Sequence, residues 1–181
     1  MMLAVIAVVS LFGCITAHDH GFSFKSVPVA SADEFGLDDL VQEYHFHTYF
    51  VQTNADSRRE AEAFHARVSA SIRSGQLAAR AGTLAYGPRG PHMIGNFYAW
   101  VPRESFQKAY NFYALNRGNL TVLIHPLTKM ELLDHTTRAV WMGVPLPLDM
   151  AWIREELTEV PLEFPELQLG YSAPKNQLKR L

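Results

Sequence analysis

The chain has 181 residues, a length that suits one domain. Hydrophobic residues make up 48% of it and charged residues 19%, so the chain can bury an ordinary core and global disorder is excluded. The formal net charge is −2, and the sequence has no basic stripe or Lys/Arg run, which argues against a nucleic-acid partner.

An apolar run fills residues 2–17, and the first charged side chain after it is Asp19. The run is shorter than the roughly 20 apolar residues of a membrane span, and it ends in small residues, as a secretory cleavage site does. We therefore predict a signal peptide, a secreted or secretory-pathway location and no stable membrane span after its removal. A membrane anchor and a spurious start are the alternatives, and the location is cytoplasmic if the segment is not used. The only cysteine, Cys14, lies in this run, so a mature chain has no disulfide.

Hydrophobic periodicity and turn residues divide most of the chain into strands and helices. Residues 18–40 are polar and are predicted to form an N-terminal arm. In chain order we predict a strand over 43–51, a helix over 57–74, strands over 82–87 and 93–101, a helix that begins at Ser105 and ends at Gly118, and a strand over 120–125. The order β-α-β-β-α-β predicts an α+β, ferredoxin-like fold: an antiparallel sheet with helices on one face, plus a C-terminal extension.

Two further segments follow the last of these strands. We predict a short helix that is capped by Asp134 and ends at Gly143, within a domain that covers residues 41–150. Residues 151–181 contain three prolines, which interrupt helices. We predict that they form a C-terminal tail, packed on the domain or on a partner.

Four histidines lie on or beside the predicted strands. Because side chains alternate along a strand, His45 and His47 share one face of the first strand, and His125 points away from the core residues of the fourth. In a ferredoxin-like sheet the first strand lies between the third and the fourth, which brings His125 towards the other two. His92 begins the third strand and reaches this region from the preceding turn. All four can lie on the face without helices, which needs a cover from residues 132–149 or from a second subunit.

Histidines gathered in this way are typical of a catalytic or metal site. Glu43 lies on the same face and can add a carboxylate. Two histidines and one carboxylate suit non-haem Fe(II), whereas three histidines also suit zinc. The spacing does not separate these metals, and a structural or exposed role is the alternative for each histidine taken alone.

Other side chains carry weaker signals, each with an ordinary structural alternative. His65 is predicted to lie on a helix surface. His18 and His20 either bind Cu(II) or Ni(II) at a newly formed amino terminus or belong to a polar chain end. An aromatic wall for a planar substrate, or ordinary packing, is predicted for Tyr98, Trp100 and Trp141. Recognition of a substrate carboxylate, or surface solvation, is predicted for Arg89, Arg117 and Arg138.

Several strings in this stretch together resemble a known family. They are Tyr44-His45-Phe46-His47-Thr48-Tyr49-Phe50, Gly90-Pro91-His92, Leu115-Asn116-Arg117-Gly118, Val122-Leu123-Ile124-His125-Pro126-Leu127-Thr128, Asp134-His135-Thr136, Trp141-Met142-Gly143 and Pro145-Leu146-Pro147-Leu148. Taken together, they resemble the DOPA 4,5-dioxygenase family of fungi and bacteria over residues 42–150.

The resemblance implies a ferredoxin-like homodimer with Fe(II) as its cofactor. Its expected reaction is extradiol cleavage of a catechol such as L-DOPA by O2, which gives seco-DOPA. Strand alternation and the resemblance together give His45, His47 and His125 as metal ligands. His92 is then the candidate for proton transfer, and His135 is a second catalytic candidate, behind the ligands or facing the substrate. The alternative is a non-catalytic secreted dimer that binds a small aromatic or zinc on the open sheet face. A zinc hydrolase is a weaker alternative, because the sequence has no His-Glu-x-x-His motif.

Overall fold

The computed structural model of the protein describes residues 41–174. The predicted signal peptide over residues 1–17, the arm over residues 18–40 and the end of the tail from residue 175 onwards lie outside the described residues. Within the described range, no helix combines the length and the apolar character that crossing a lipid bilayer requires.

A five-stranded sheet forms the centre of the described domain. Its strands are β1 (Glu43–Phe50), β2 (Arg80–Ala81), β3 (Gly95–Pro102), β4 (Thr121–Pro126) and β5 (Val140–Met142). The spatial order is β2-β3-β1-β4-β5, and every neighbouring pair is antiparallel. The first four strands therefore have the predicted ferredoxin-like order, with β1 between β3 and β4.

Two helices supply the apolar layer on one face of the sheet. They are α1 (Ala55–Arg73) and α2 (Phe106–Asn116). The side chain of Asn54 caps α1 by accepting hydrogen bonds from two backbone N–H groups of its first turn. Phe46, Phe97 and Val122 of the three central strands are fully buried in the core together with apolar residues of both helices. The α+β fold class is confirmed. We call the opposite face of the sheet, which the two helices do not cover, the open face. The strand residues that alternate with these core positions point to it.

The strand predicted over 82–87 is wrong in its bounds. Regular pairing with β3 stops at the end of β2 and returns only as an isolated bridge. The paired residues are Ala81 with Ala99 and Ala85 with Asn96. From one pair to the next, this segment advances four residues and β3 advances three. The extra residue is the mark of a β-bulge, which interrupts the ladder.

The short helix predicted from Asp134 to Gly143 is also wrong. The helix here is α3 (Glu131–His135), and part of the predicted helix is instead β5, which pairs with the edge of β4. Asp134 does not cap a following helix, because its buried carboxylate accepts hydrogen bonds from the N–H and the hydroxyl of Thr128. Val140 and Trp141 are residue types that are enriched in strands, and the pairing of β5 covers the edge of β4.

After β5 the chain returns to the open face of the sheet. We call residues 157–173 the C-terminal segment. At its start, the Leu157 N–H donates to a carbonyl in the loop after β4 at 2.7 Å. The Phe164 ring packs against Trp100 with ring centroids 5.2 Å apart, and the Tyr171 hydroxyl donates to a carbonyl just after β4 at 2.7 Å. The C-terminal segment therefore packs on its own domain, where it shares the covering of the open face with α3.

Candidate metal centre

β1 and β4 bring three histidines together on the open face. His45 pairs directly with His125 across the two strands, and His47 lies two residues along β1 on the same side. The ring centroids are 5.2 Å apart for His45 and His47, 5.4 Å for His45 and His125, and 5.3 Å for His47 and His125. One ring nitrogen of each lies within 4.8 Å of the other two. The three side chains are therefore close enough to hold one metal ion.

Four nitrogens of these three rings are buried without an aligned hydrogen-bond partner. Both nitrogens of His47, Nε2 of His125 and Nε2 of His45 have no aligned partner among the described residues. A buried polar atom that is left unpaired costs about 1–3 kcal/mol, so such a group of rings is expensive unless something binds it. A divalent cation can accept one lone pair from each of the three rings at once. The residues therefore fit a metal.

The surroundings of His47 and His125 favour the neutral imidazole, which is the form that binds metals. Burial lowers the pKa of His47 and of His125 well below the usual value, and neighbouring histidines lower it further. His125 Nδ1–H donates a 2.8 Å hydrogen bond to the Pro126 carbonyl. This bond fixes the tautomer and leaves the lone pair on Nε2, so His125 is oriented as a metal ligand.

Two more histidines flank this group. The His92 ring, which comes from the turn before β3, lies 3.9 Å from the His47 ring, and the His135 ring lies 3.9 Å from His125. The Tyr49 hydroxyl is 2.7 Å from His92 Nδ1, and His135 Nδ1–H donates to a carbonyl one turn earlier in α3 at 2.9 Å. Burial is the main cause that lowers the pKa of His92 to about 3 and also lowers the pKa of His135. In both rings Nε2 is the nitrogen left for a ligand.

Glu43 lies on the predicted face, but its carboxylate is engaged away from the histidines. The residue is 1% exposed. Its Oε2 accepts a hydrogen bond from the Trp100 indole N–H at 2.8 Å, and its Oε1 accepts one from the Tyr171 N–H at 3.1 Å. Burial raises the pKa of Glu43, and the bond from Trp100 partly offsets that rise. Glu43 therefore anchors the C-terminal segment to β1.

The carboxylate beside the histidines belongs to Glu163, which no sequence pattern singled out. Its Oε1 lies 2.7 Å from His45 Nε2, and the two side chains are mostly shielded from solvent, with 26% of Glu163 and 14% of His45 exposed. Glu163 is part of the irregular C-terminal segment, where there is no strand or helix period to indicate which way a side chain points.

These groups surround a cavity of about 240 Å³. All five clustered histidines line it. Leu127, Leu157 and Pro161 add apolar surface, and Glu131 and Glu163 add acidic groups. α3 and the C-terminal segment cover the cavity. The prediction that residues 132–149 form this cover therefore accounts for only part of the wall.

The aromatic residues predicted to form a substrate wall pack as ordinary structural residues. Trp100 is fully buried, and its indole N–H is bonded to Glu43. Trp141 stacks on Tyr49 with ring centroids 5.7 Å apart. Tyr98 packs against the His45 ring at 4.8 Å. Their part in the site is to support β1 and its histidines.

The three arginines considered for substrate binding are also engaged elsewhere. Arg138 pairs with the buried Asp134 at 3.0 Å, and both Arg117 and Arg89 donate to main-chain carbonyls. His65 is half-buried, and its Nε2 is 2.8 Å from the main-chain carbonyl of residue 82, so it is less exposed than predicted. These residues stabilise loops around the domain and lie outside the histidine cluster.

The chain is similar to proteins of one family. Residues 44–152 match the model of the Dopa 4,5-dioxygenase family. A DOPA 4,5-dioxygenase of Amanita muscaria is 37% identical over 143 residues, which are 78% of this chain and 63% of that protein. The chain therefore spans less than two thirds of that relative. An uncharacterized 21.2 kDa protein of Botryotinia fuckeliana is 42% identical over 76 residues, which are 37% of this chain and 41% of that protein.

A solved structure shares this architecture. The crystal structure of a candidate dioxygenase from Nostoc punctiforme matches with a TM-score of 0.53 at 28% identity, and the match covers 62% of this chain and 90% of that one. The family model extends over more than half of the chain and includes all five clustered histidines. The chain therefore belongs to the Dopa 4,5-dioxygenase family, as its sequence strings predicted.

Proposed function

We propose that this protein is an extradiol dioxygenase that uses Fe(II) and O2 to cleave the ring of a catechol, such as L-DOPA to seco-DOPA. The observation that carries the proposal is the convergence of three histidines, with buried and unpaired nitrogens, on a cavity that two further histidines line. Family membership supports the reaction type, and the name of the Amanita muscaria relative supports a substrate of this class.

His45, His47 and His125 would hold the metal, because each presents a buried ring nitrogen without a hydrogen-bond partner to the same space. Three imidazole ligands leave coordination positions open for a substrate. Bound Fe(II) supplies a redox-active centre at which a catechol and O2 are activated together. The same donors accept zinc, but zinc has no redox chemistry, so the proposed reaction requires iron.

His92 and His135 are suited to move protons at the hydroxyl groups of the substrate. A catechol hydroxyl must give up a proton, and a neutral imidazole within reach can accept it. The bond from His135 Nδ1–H to a main-chain carbonyl leaves its Nε2 unprotonated and able to accept. The Tyr49 hydroxyl holds the His92 ring in its orientation.

The size and walls of the cavity suit a single aromatic ring. Its volume of about 240 Å³ is below the roughly 300–1,000 Å³ of pockets that take drug-sized ligands. Leu127, Leu157 and Pro161 provide apolar surface against which a ring can pack. Such packing displaces water from the reacting groups.

The test is anaerobic loading of the full-length protein with Fe(II), followed by L-DOPA or catechol and then air. We expect O2 uptake and a yellow ring-cleavage product. His47→Ala and His125→Ala each remove a ligand, so they should lose bound iron and turnover together. His65→Ala is the matched control, because that ring lies outside the cluster and should leave both intact. If the two ligand variants keep iron and turnover, the ligand assignment is wrong.

Two further variants separate catalysis from binding. His92→Ala and His135→Ala should keep iron but lose about 10²–10⁴-fold in turnover, the usual contribution of a proton-transfer group. A wild-type protein that binds metal and catechol yet consumes no O2 would contradict the enzyme proposal. It would instead support the non-catalytic binding dimer.

We also propose a homodimer and a secretory route. The dimer follows from the family resemblance, and the route follows from the apolar run over residues 2–17. Light scattering of the purified protein should give the mass of two chains. Mass spectrometry of the protein recovered from a secreting host should show cleavage after Ala17. A monomer mass would contradict the dimer, and an intact first residue would contradict the cleavage.

A further inference from the structure

We propose that Glu163 is a fourth metal ligand, which completes a centre of three histidines and one carboxylate. This inference rests on the metal centre of the proposed function and adds to it a residue of the C-terminal segment. Glu163 lies beyond residues 44–152, so the family match assigns it no role. It takes the place that the sequence suggested for Glu43, whose oxygens are bonded to Trp100 and Tyr171.

The contact between Glu163 and His45 has the form of a pair of ligand atoms. Glu163 Oε1 and His45 Nε2 are 2.7 Å apart, yet His45 Nε2 has no aligned hydrogen bond. The short distance is therefore not explained by an N–H group that points at the oxygen. Nitrogen and oxygen ligands bind zinc at about 2.0–2.2 Å, so two adjacent ligand atoms of one ion lie about 3–3.5 Å apart. The two atoms would therefore have to separate by less than about 1 Å to share a metal ion.

The charge of Glu163 also favours a cation at this point. Among the described residues, the carboxylate makes no ion pair or hydrogen bond other than its contact with His45. It faces a group of imidazoles whose buried nitrogens offer lone pairs to the same space. A divalent ion between the carboxylate and the ring nitrogens would be attracted by the negative charge and by the lone pairs of the neutral imidazoles.

The neighbouring residues hold Glu163 over the cluster. Phe164 packs on Trp100 with ring centroids 5.2 Å apart, and Pro161 lines the cavity two residues before Glu163. Further along the C-terminal segment, Tyr171 is tied to the sheet through its N–H and its hydroxyl. A ligand on a segment fixed at both ends needs little reorganisation when the metal binds, which favours high affinity.

A carboxylate ligand changes the chemistry that the centre can support. It offsets one of the two positive charges of a divalent ion, and histidine–carboxylate sets are the usual choice for non-haem Fe(II) that reacts with O2. With these four residues bound, a divalent ion would still offer open positions to a substrate. The structure thus links metal binding to the C-terminal segment that closes the cavity.

The experiment is a Co(II) titration of the full-length, metal-free protein, followed by visible absorption and by competition with a chelator. Co(II) reports ligand number and type through its d–d bands, so the readout is independent of turnover. For Glu163→Gln we expect a loss of Co(II) affinity of about 10–100-fold or more, together with a changed d–d spectrum. Glu163→Ala should give at least the same loss.

Glu166→Gln is the matched control, because Glu166 is an exposed acid on the same segment. It should bind Co(II) like the wild type, and far-UV circular dichroism should show that all metal-free variants are folded. Unchanged affinity and spectrum in both Glu163 variants would overturn the proposal and leave the three-histidine centre intact. Higher affinity would also overturn it, since Glu163 would then compete with the metal for His45. If wild type and His47→Ala both fail to bind Co(II), the proposed metal centre itself fails.

Discussion

At the scale of single residues, the five clustered histidines differ in what holds each ring. His45, His47 and His125 are carried by regular strands, and each has a buried nitrogen without an aligned hydrogen bond. His92 comes from a turn, and its Nδ1 is bonded to the hydroxyl of Tyr49, which is 3% exposed. A ring on a turn has fewer backbone constraints than a ring on a central strand, so we infer that Tyr49 is a positioning residue for His92.

Tyr49→Phe tests this role. The change removes the hydroxyl but keeps the ring that stacks on Trp141, so the fold should be retained. We expect iron content and KM close to the wild type and kcat lowered about 10–100-fold, because a misoriented His92 transfers protons less efficiently. Steady-state kinetics and iron analysis give both numbers.

The matched control for this change is Tyr110→Phe. Tyr110 lies on α2 with 42% of its surface exposed, so the loss of its hydroxyl should leave kcat unchanged. A Tyr49→Phe protein with wild-type kcat would show that the hydrogen bond does not matter for turnover. Loss of iron in that variant would show that Tyr49 supports the metal ligands instead.

At the scale of elements, the positions of the site residues could be predicted from the sequence wherever these residues lie on regular strands. Alternation along β1 and β4 puts His45, His47 and His125 on one face, because successive side chains of a strand point to opposite sides. The order β-α-β-β-α-β places β1 in the centre of the sheet. The fold class and the meeting of these three histidines could therefore be predicted without the structure.

The features that could not be predicted depend on irregular backbone or on distant contacts. The bulge after β2 leaves residues 82–87 with only an isolated bridge to β3, and nothing in a local pattern measures that offset. Asp134 has the residue type of a helix cap, yet its carboxylate turns back to Thr128. Glu163 reaches His45 only because the C-terminal segment packs across the open face. Tertiary packing decides all three.

Gly170→Ala tests how strongly that segment is docked. Gly170 has a φ of +60°, where side chains are strained, and an added Cβ would lie 2.5 Å from Glu43 Cγ. We expect the free energy of unfolding to fall by about 1–3 kcal/mol. Turnover should fall as well, because the displaced segment carries Glu163 and part of the cavity wall. Urea unfolding and O2 uptake measure the two effects.

Gly87→Ala is the control for this substitution. A Cβ at Gly87 meets no atom within 4 Å, and its backbone is not in the left-handed region. Its free energy of unfolding should stay within about 0.5 kcal/mol of the wild type. If Gly170→Ala is equally harmless, the segment is not docked tightly against Glu43.

At the scale of the whole molecule, the charges around the cavity bear on the choice of substrate. Glu131, Asp134 and the proposed metal ligand Glu163 line the cavity, and among its described lining residues there is no lysine or arginine. The guanidinium groups of Arg89, Arg117 and Arg138 are bonded to groups of the surrounding loops. A cavity with this lining favours a cationic substituent over an anionic one.

We therefore expect kcat/KM to be highest for a catechol with an ammonium group and lowest for one with only a carboxylate. Dopamine should exceed 3,4-dihydroxyphenylacetate about fivefold, as expected from roughly 1 kcal/mol of charge interaction, and zwitterionic L-DOPA should lie between them. Glu131→Gln should reduce this preference. A higher kcat/KM for the carboxylate substrate would contradict the prediction and would indicate a cationic group at the cavity.

Metal binding should also stabilise the molecule as a whole. The proposed ligands come from β1, β4 and the C-terminal segment, and the unfolded chain cannot hold them together. A metal at 100 times its Kd therefore adds about 2.7 kcal/mol to the free energy of unfolding, which for a chain of this size raises Tm by roughly 5–10 °C. Thermal unfolding with and without anaerobic Fe(II) or with zinc measures the shift, and a chelator should reverse it.

His47→Ala separates this specific effect from general ion binding. The variant lacks a central ligand, so its Tm should hardly respond to metal, whereas His65→Ala should respond like the wild type. Without metal, the free energy of unfolding of His47→Ala should fall below that of the wild type by no more than a core substitution usually costs. The reason is that the substitution also removes a ring with two unpaired buried nitrogens, which offsets part of the lost packing. An equal rise in Tm for His47→Ala and wild type would place the stabilising metal outside the histidine cluster.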